Sequence, residues 1–444
     1  MSVELASLLL FVCTFALLAV GVPIAFALGG VAVVFAIAFW GFDHLNVLAI
    51  AGFSTLQNVN LVAIPLFVLM GWILYKSGIA DDLYEAMYVW VGGVKGGLAM
   101  GTIVISALFG AICGDLLAAV FTITTISLAP LLKRGYDKHL AIGAVMAGAL
   151  LGLIIPPSII IIIFSSVTGE SVGRMYLGCF APGFLLAALY MLYIGVRCHL
   201  RPAMGPTAPP ETRAGWGIKF AKLRGVIMPL ALLLSMLVGI YSGAVTPMEA
   251  SAVGVAGAFI CAAIKRRLSL KVVWEAVSMT LRIACMIGWL FLAIACFTAV
   301  YAGMGALDLA RNIAAAVPGG GLPVIIVMQF ALVIFGMFMD DVAIIMIFGP
   351  IFLSVVKSLG FDTLWYGVLF MVNIQLAFLT PPYGFGLFAM RAVIPTIPEL
   401  KPFNISMGDI YRAAVPFIGL QALALALIII FQPLATFLPS LLIR

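Results

Sequence analysis

Charge is scarce in this sequence. Asp, Glu, Lys and Arg make up 9% of the 444 residues, whereas hydrophobic residues make up 65%. A soluble domain normally carries about 25% charged residues. The composition therefore excludes a soluble protein, and apolar runs of about 20 residues predict an all-α protein that crosses a membrane many times.

Histidines and paired cysteines are also scarce. The three histidines, His44, His139 and His199, are far apart, and none of the seven cysteines forms a Cys-x-x-Cys motif. This argues against a histidine-ligated metal centre and a disulfide framework. An intramembrane enzyme would need a nucleophile and a base at one depth. No histidine lies in the interrupted segments described below, so we do not expect an enzyme.

The basic residues lie in short clusters between apolar runs. Lys and Arg outnumber Asp and Glu by 23 to 17, but this distribution indicates membrane orientation and not binding to nucleic acid. The positive-inside rule places the clusters on the cytoplasmic side and both termini on the outside, which is the periplasmic side if the membrane is a bacterial inner membrane, as the resemblance described below implies. In this topology, the basic residues outside are Arg174, Arg311, Lys357 and Arg444.

One pattern of breaks occurs twice. The run FGAICGD from Phe109 returns 226 residues later as FGMFMDD from Phe335, and the proline pair at 156–157 returns after 225 residues at 381–382. Gly and Pro alone are weak evidence, because membrane helices tolerate both. Interrupted hydrophobic segments at matching positions, however, indicate a secondary transporter with its site near the membrane midplane.

Each half is predicted to hold five spans and one re-entrant hairpin, so the second half is an inverted copy of the first. The halves are 1–200 and 225–444, joined by a cytoplasmic linker at 201–224. The first spans of each half and a surface helix fall in 1–95 and 225–320, and the hairpin and broken helix in 96–200 and 321–444. Spans include 5–21, 23–40, 61–77, 176–198, 225–243, 247–264, 284–302 and one within 410–438; the hairpins are 97–132 and 322–357, and the broken spans 138–166 and 363–393.

The breaks can bind ligands, because a broken backbone inside a bilayer leaves N–H and C=O groups without hydrogen-bond partners. At a hairpin tip, the second arm begins with unpaired N–H groups and a positive dipole end, which favour an anion. Before a Pro-Pro pair, carbonyls are left free to face a cation. Two facing halves therefore predict two Na⁺ sites that flank one anionic substrate.

Several polar residues have two open interpretations. Asp115 and Asp341 are either N-caps, a role worth about 1 kcal/mol, or ligands of an ion or proton, and the two roles are compatible. An acid at membrane depth costs at least about 2.5 kcal/mol, which favours a functional role. Ser158, Asn373 and Thr380 offer neutral groups for a substrate, but such residues also make interhelical hydrogen bonds.

Longer strings around these breaks carry a family resemblance, namely KRGYDKHLAIGA, LGLIIPPS, FMDDVAIIMIFGP and FLTPPYGFGLF. Through them the chain resembles, over nearly its whole length, the large membrane subunit of tripartite ATP-independent periplasmic (TRAP) transporters, in the ion-transporter superfamily. The resemblance implies Na⁺-coupled uptake of an organic acid by an elevator mechanism, in which hairpins and broken helices move against a scaffold. It also implies a small four-span membrane subunit and an extracytoplasmic substrate-binding protein. A self-sufficient Na⁺ or H⁺ carboxylate symporter is the alternative.

The resemblance assigns site residues motif by motif. The implied Na⁺ ligands are Gly110, Gly114, Asp115, Ile155, Pro156 and Pro157 in the first half and Gly336, Asp340, Asp341, Leu379, Thr380 and Pro381 in the second. The expected substrate contacts are Ser158, Asn373, Thr380, Asp115 and Asp341. No basic residue lies at either hairpin tip, so C4-dicarboxylates, 2-oxo acids, sugar acids and aromatic acids all stay open as substrates.

Overall fold

A computed structural model of the chain describes residues 2–113, 116–207, 215–318 and 320–442. Within these ranges every regular element is a helix and no strand occurs, which confirms the all-α prediction. Six of the described helices are long and apolar enough to cross a membrane singly, and shorter apolar helices accompany them. Gly114 and Asp115, which were predicted to form the tip of the first hairpin, lie outside the described residues.

The first half begins with two short apolar helices and ends with a long one. Between them lie the hairpin and a helix broken at a proline pair. Its helices are α1 (Val3–Ala19), α2 (Ile24–Trp40), α3 (Asn46–Leu56), α4 (Ala63–Lys76), α5 (Ile79–Val91), α6 (Gly97–Cys113), α7 (Leu116–Ile123), α8 (Ala129–Lys133), α9 (Lys138–Leu150), α10 (Ile159–Thr168) and α11 (Val172–Leu200).

The second half presents its helices in a corresponding order. Its hairpin is α16 with α17, and its broken helix is α18 with α19. The full set is α12 (Trp216–Tyr241), α13 (Pro247–Ile264), α14 (Leu270–Gly303), α15 (Ala306–Ala315), α16 (Gly321–Gly336), α17 (Asp341–Ser358), α18 (Thr363–Leu379), α19 (Phe385–Val393), α20 (Met407–Ile430) and α21 (Pro433–Leu442).

The packing contacts between the two halves occur in corresponding pairs, in which the helices of the first and second half are interchanged. Helix α4 packs on α13, and the corresponding pair, α14 and α2, also packs together. Each hairpin lies on its own broken helix, α6 on α9 and α16 on α18. The second piece of each broken helix meets the other half, since α10 packs on α17 and α19 on α7. This exchange is what a two-fold related pair of repeats would produce; the inverted orientation of the repeats stays a prediction.

Three predicted spans differ from the helices that occupy them. Helix α14 has 34 residues and begins at Leu270, whereas the predicted span covers only 284–302. Helix α12 begins at Trp216, inside the predicted linker. The region of the last predicted span holds two helices, because α20 ends at Ile430 and α21 begins at Pro433. Hydropathy marks the apolar part of a helix, and it does not mark turns that continue into the polar interface or a break between two apolar helices.

The second arm of the first hairpin contains a π-helical turn over Thr124–Leu128. This arm is one residue longer in sequence than its counterpart: Gly135 follows Asp115 by 20 positions, whereas Gly360 follows Asp341 by 19. A π turn closes its hydrogen bond one residue later than an α turn and so accommodates one extra residue. The turn thus accounts for the change in repeat spacing from 226 to 225 residues.

Candidate functional site

The tip of the second hairpin is built by two neighbouring acids. Helix α16 ends at Gly336, and Asp340 is the N-cap of α17, where its carboxylate accepts a hydrogen bond of 2.7 Å from the N–H of Ala343. Asp341 is the first residue of α17, and its Oδ1 accepts from the N–H of Val342 at 2.9 Å. The capping role that the sequence offers for Asp341 therefore falls mainly on Asp340, one residue earlier.

The first break is fully buried. Helix α9 ends at Leu150, and a 3₁₀ turn follows before the proline pair at 156–157. The Ser158 hydroxyl donates to the carbonyl of Leu153 at 2.8 Å, and the Ser158 carbonyl accepts from the hydroxyl of Tyr176 at 3.2 Å. Ser158 is the N-cap of α10, but its side chain makes no capping hydrogen bond. The first turn of α10 consequently keeps N–H groups without an intrahelical partner.

The second break is partly exposed. As at the first break, a hydroxyl donates to a backbone carbonyl, and the helix that follows has no side-chain cap. The Thr380 hydroxyl donates to the carbonyl of Leu376 at 2.6 Å, so it closes the end of α18. Gly384 is the N-cap of α19 and makes no side-chain cap. Its lack of a side chain is required, because a β-carbon there would lie 2.5 Å from the carbonyl oxygen of Phe378. Both proline pairs, 156–157 and 381–382, are joined by cis peptide bonds.

A cavity of about 200 Å³, here called the central cavity, brings both halves together. Four helices reach it with their N-terminal residues: α7 with Leu116, α10 with Ile159 and Ile160, α17 with Asp341 and Val342, and α19 with Phe385. Asp340 also lines it, and the opposite wall is apolar and comes from α4 and α14. N-terminal helix ends carry unpaired N–H groups and a partial positive charge, so those of this cavity that have no side-chain cap favour an anion.

A second cavity of about 560 Å³, the side cavity, adjoins the central one. Met286, Asp340 and Phe385 line both cavities. From there the side cavity extends along Trp289 to the turn between α1 and α2 at Gly21. The charge distribution predicts that this turn lies at the cytoplasmic face.

The described residues that line the cavities include two carboxylates and no basic side chain. Asp340 and Asp341 are the only charged residues among the described residues that line either cavity. Elsewhere in the described ranges there is no cluster of three or more His, Cys, Asp or Glu suited to a transition metal. Carboxylate oxygens suit a hard cation such as Na⁺. The acids therefore favour a cation next to the helix ends that favour an anion.

The structure brings together only some of the predicted site residues. Asp340 and Asp341 face the cavities, and Ser158 directly precedes the two isoleucines of α10 that line the central one. Asn373 is buried in α18, where its amide donates to the side-chain oxygen of Gln329 at 2.7 Å and to the Gln329 carbonyl at 2.8 Å. It thus joins the hairpin to the broken helix and does not line either cavity. Gly110, Ile155, Pro156, Pro157, Gly336, Leu379, Thr380 and Pro381 also lie outside both linings.

Sequence reasoning missed the apolar residues of the site. Met286, Ile287 and Trp289 of α14 and Phe385 of α19 form walls of the cavities. In a chain this rich in apolar residues, nothing distinguishes a wall residue from a core or lipid-facing one. Only the position of Phe385, just after the second break, is a signal, since Ser158, just after the first break, is a predicted substrate contact.

Comparisons with known proteins agree with this architecture. The family profile described as tripartite ATP-independent periplasmic transporter, DctM component, matches residues 11–434. The chain is 32% identical over 408 residues to the C4-dicarboxylate TRAP transporter large permease protein DctM of Pseudomonas aeruginosa, covering 90% of this chain and 88% of the relative. It is 26% identical over 433 residues to the ectoine TRAP transporter large permease protein TeaC of Halomonas elongata, covering 96% and 97%.

A solved structure shares the fold at low sequence identity. The crystal structure of the YdaH transporter of Alcanivorax borkumensis matches with a TM-score of 0.58 and 16% identity, over 93% of this chain and 98% of that one. Similarity at this level concerns the fold and not the substrate.

Proposed function

The chain belongs to the DctM family of TRAP transporter large permeases, and from this we propose that it performs Na⁺-coupled uptake of a small organic acid by an elevator mechanism. It is a multi-pass transporter subunit of the bacterial inner membrane. The family is tripartite, so a large permease works with a small membrane subunit and a periplasmic substrate-binding protein. The relatives above are permeases for a C4-dicarboxylate and for ectoine, and both of these compounds carry carboxylates.

The observation that carries the proposal is the meeting of four helix N-termini at the central cavity. Helices α10 and α19 lack side-chain caps, so their first-turn N–H groups are available to a substrate carboxylate. Helix α17 differs, because Asp340 already caps it. The anion would therefore bind towards α10 and α19, away from the acids of the second hairpin.

Na⁺ coupling follows from the same asymmetry. Asp340 and Asp341 place negative charge beside the substrate site, and a bound Na⁺ would offset the repulsion between these acids and an incoming carboxylate. Binding of ion and substrate would then be mutually favourable, as coupling requires. Moving one net positive charge inward through 100 mV supplies about 2.3 kcal/mol, so two Na⁺ with a monoanion gain that energy, whereas two Na⁺ with a dianion are electroneutral.

The elevator part of the proposal rests on where the cavities lie. The central cavity is bounded on one side by the two hairpins and broken helices and on the other by α4 and α14. A site at such a boundary can be carried across the membrane if the hairpin side slides along the α4 and α14 side. The side cavity reaches towards the predicted cytoplasmic face, which supports an inward-facing arrangement.

The test is uptake into proteoliposomes that contain this chain with its small subunit. Labelled succinate, a 2-oxo acid, a sugar acid, an aromatic acid and ectoine would be offered with and without the binding protein, under an inward Na⁺ gradient or with K⁺ in its place. We expect uptake of one compound that requires both the binding protein and Na⁺. Uptake without the binding protein would favour a self-sufficient symporter, and uptake indifferent to Na⁺ would reject the cation sites.

A further inference from the structure

A third cavity, of about 230 Å³, lies away from the hairpins, where α9, α11 and α20 meet. We call it the arginine pocket, because Arg197 of α11 and Arg412 of α20 both line it, together with His139, Tyr193 and Phe417. Helix α9 begins here, α11 ends here and α20 begins here. Three helix ends at one level mark a membrane surface, which the basic clusters predict to be the cytoplasmic one.

The two acids near the arginine pocket are already engaged. Asp137 caps α9 by accepting from the N–H of Leu140 at 2.9 Å. Asp409 pairs with Lys138 at 2.9 Å and lies 3.3 Å from the Nε2 atom of His139. Neither Arg197 nor Arg412 forms an ion pair through its guanidinium with any carboxylate in the described ranges. Asp137 also lines the pocket, so the lining presents two guanidinium groups against one carboxylate and is net positive.

The helix that carries Arg197 also has an exposed apolar stripe next to its pocket-lining residues. Leu192, Val196 and Leu200 of α11 are 63%, 48% and 75% exposed and recur every fourth residue, so they form one stripe beside Arg197. In a membrane protein, such a stripe at a helix end contacts lipid acyl chains. Phe417 and Pro416 continue the apolar surface inside the pocket. A soluble anion would use only the arginines, whereas a phospholipid would use both surfaces.

We propose that the arginine pocket binds the phosphate of an anionic phospholipid. Guanidinium groups donate two parallel hydrogen bonds to phosphate oxygens, and basic pockets between helices at a membrane surface suit anionic headgroups. Arg197 and Arg412 hold the phosphate from two different helices, and the acyl chains lie along Leu192 and Val196, which precede Arg197 on the membrane side. The bound lipid thereby joins the ends of α11 and α20. The inference does not depend on the transported substrate.

The test is native mass spectrometry of the purified full chain titrated with phosphatidylglycerol or with phosphatidylcholine of the same acyl chains. We expect the first phosphatidylglycerol to bind at least about fivefold tighter than phosphatidylcholine. Arg197→Gln and Arg412→Gln should each weaken phosphatidylglycerol binding about fivefold, the factor that corresponds to about 1 kcal/mol per basic residue. Arg197→Lys keeps the charge and should give an intermediate affinity, which separates loss of binding from misfolding.

Arg174 supplies the matched control, because it is an exposed arginine at the opposite end of α11. Arg174→Gln should leave the affinity for phosphatidylglycerol unchanged. Equal losses in this variant and in Arg197→Gln would overturn the proposal, as would equal retention of the two lipids by the unmodified chain. Displacement of bound phosphatidylglycerol by millimolar inorganic phosphate would identify a soluble anion as the occupant and also reject the lipid assignment.

Discussion

The backbones of Gly110 and Gly152 are in direct contact, and a β-carbon added to Gly110 would lie 2.5 Å from the Cα atom of Gly152. This contact joins the first hairpin to its broken helix just before the proline pair. The second half has a corresponding contact, in which a β-carbon on Gly336 would lie 2.5 Å from the β-carbon of Ala377. Each hairpin therefore approaches its broken helix through a residue without a side chain, near the tip.

Replacing Gly110 with alanine should destabilise the protein. No flexible side chain can move aside in the first half, since the atoms in the way belong to the backbone of Gly152. Overpacking of this kind costs about 1–3 kcal/mol, and it would also push the first hairpin away from the central cavity. We expect Gly110→Ala to lower the thermal unfolding midpoint and to reduce uptake in proteoliposomes.

Gly419 is the control for this prediction. It lies in α20, and a β-carbon there would meet no atom within 4 Å. Gly419→Ala should leave the unfolding midpoint unchanged or raise it slightly, because alanine favours a helix over glycine by up to about 1 kcal/mol. If the Gly110→Ala protein unfolds at the same temperature as the unmodified protein, the contact between Gly110 and Gly152 leaves room for a β-carbon and the prediction is wrong.

Asp340→Asn should separate capping from ion binding. Asparagine caps a helix about as well as aspartate, so the hydrogen bond to the N–H of Ala343 can persist while the charge is lost. If Asp340 contributes to a Na⁺ site, the Na⁺ concentration for half-maximal uptake should rise at least about tenfold, which corresponds to about 1.4 kcal/mol. The measurement is uptake, or thermal stabilisation of the purified protein, over a Na⁺ series at constant ionic strength.

The outcome for Asp340→Ala completes this comparison, because alanine removes both the cap and the charge. Stability should then fall by about 1 kcal/mol in addition to the loss of Na⁺ response. If Asp340→Asn keeps its full Na⁺ response and only Asp340→Ala is impaired, Asp340 is a cap and nothing more.

Much of the architecture could be predicted from the sequence, because breaks in apolar segments are conspicuous. Pro156 and Pro381 predict where the two broken helices are interrupted, and Gly336 and Asp341 bound the tip of the second hairpin. These residues act locally, since proline cannot donate and glycine and aspartate favour helix ends. The strings around them were also enough to indicate the family.

What could not be predicted depends on contacts between distant segments. The bond between Asn373 and Gln329 joins residues 44 positions apart, and neither residue marks its partner in the sequence. The apolar walls from α14 are likewise invisible, because Met286 and Trp289 lie in a helix that is apolar nearly throughout. The N-cap was assigned one residue late at the second hairpin, since two adjacent aspartates satisfy the same local rule.

Asn373→Ala should reduce stability without changing the affinity for Na⁺. Its amide makes two buried hydrogen bonds to Gln329, and their loss leaves buried acceptors unsatisfied at a cost of about 1–3 kcal/mol. Gln329→Ala removes the other partner, so the double variant should lose less stability than the two single variants combined. Additive losses of stability would mean that the two residues act independently. A tenfold change in the affinity for Na⁺ or substrate would show that Asn373 contributes to binding.

Ser158→Asp tests the N-terminus of α10 as the position of the substrate carboxylate. Ser158 is the N-cap of α10 but does not cap it through its side chain. A carboxylate introduced there would accept hydrogen bonds from the N–H groups that are proposed to bind the substrate, and it would repel an anion. Half-maximal substrate concentration should rise at least about tenfold, or about 1.4 kcal/mol. Aspartate is a good cap but cannot donate to the Leu153 carbonyl as the Ser158 hydroxyl does, so the thermal unfolding midpoint is measured on the same variant to establish that it is folded. Ser171→Asp is the matched control, since Ser171 already caps α11 by accepting from the N–H of Arg174 at 3.4 Å, and it should transport normally. Normal uptake by Ser158→Asp would place the substrate elsewhere in the cavity.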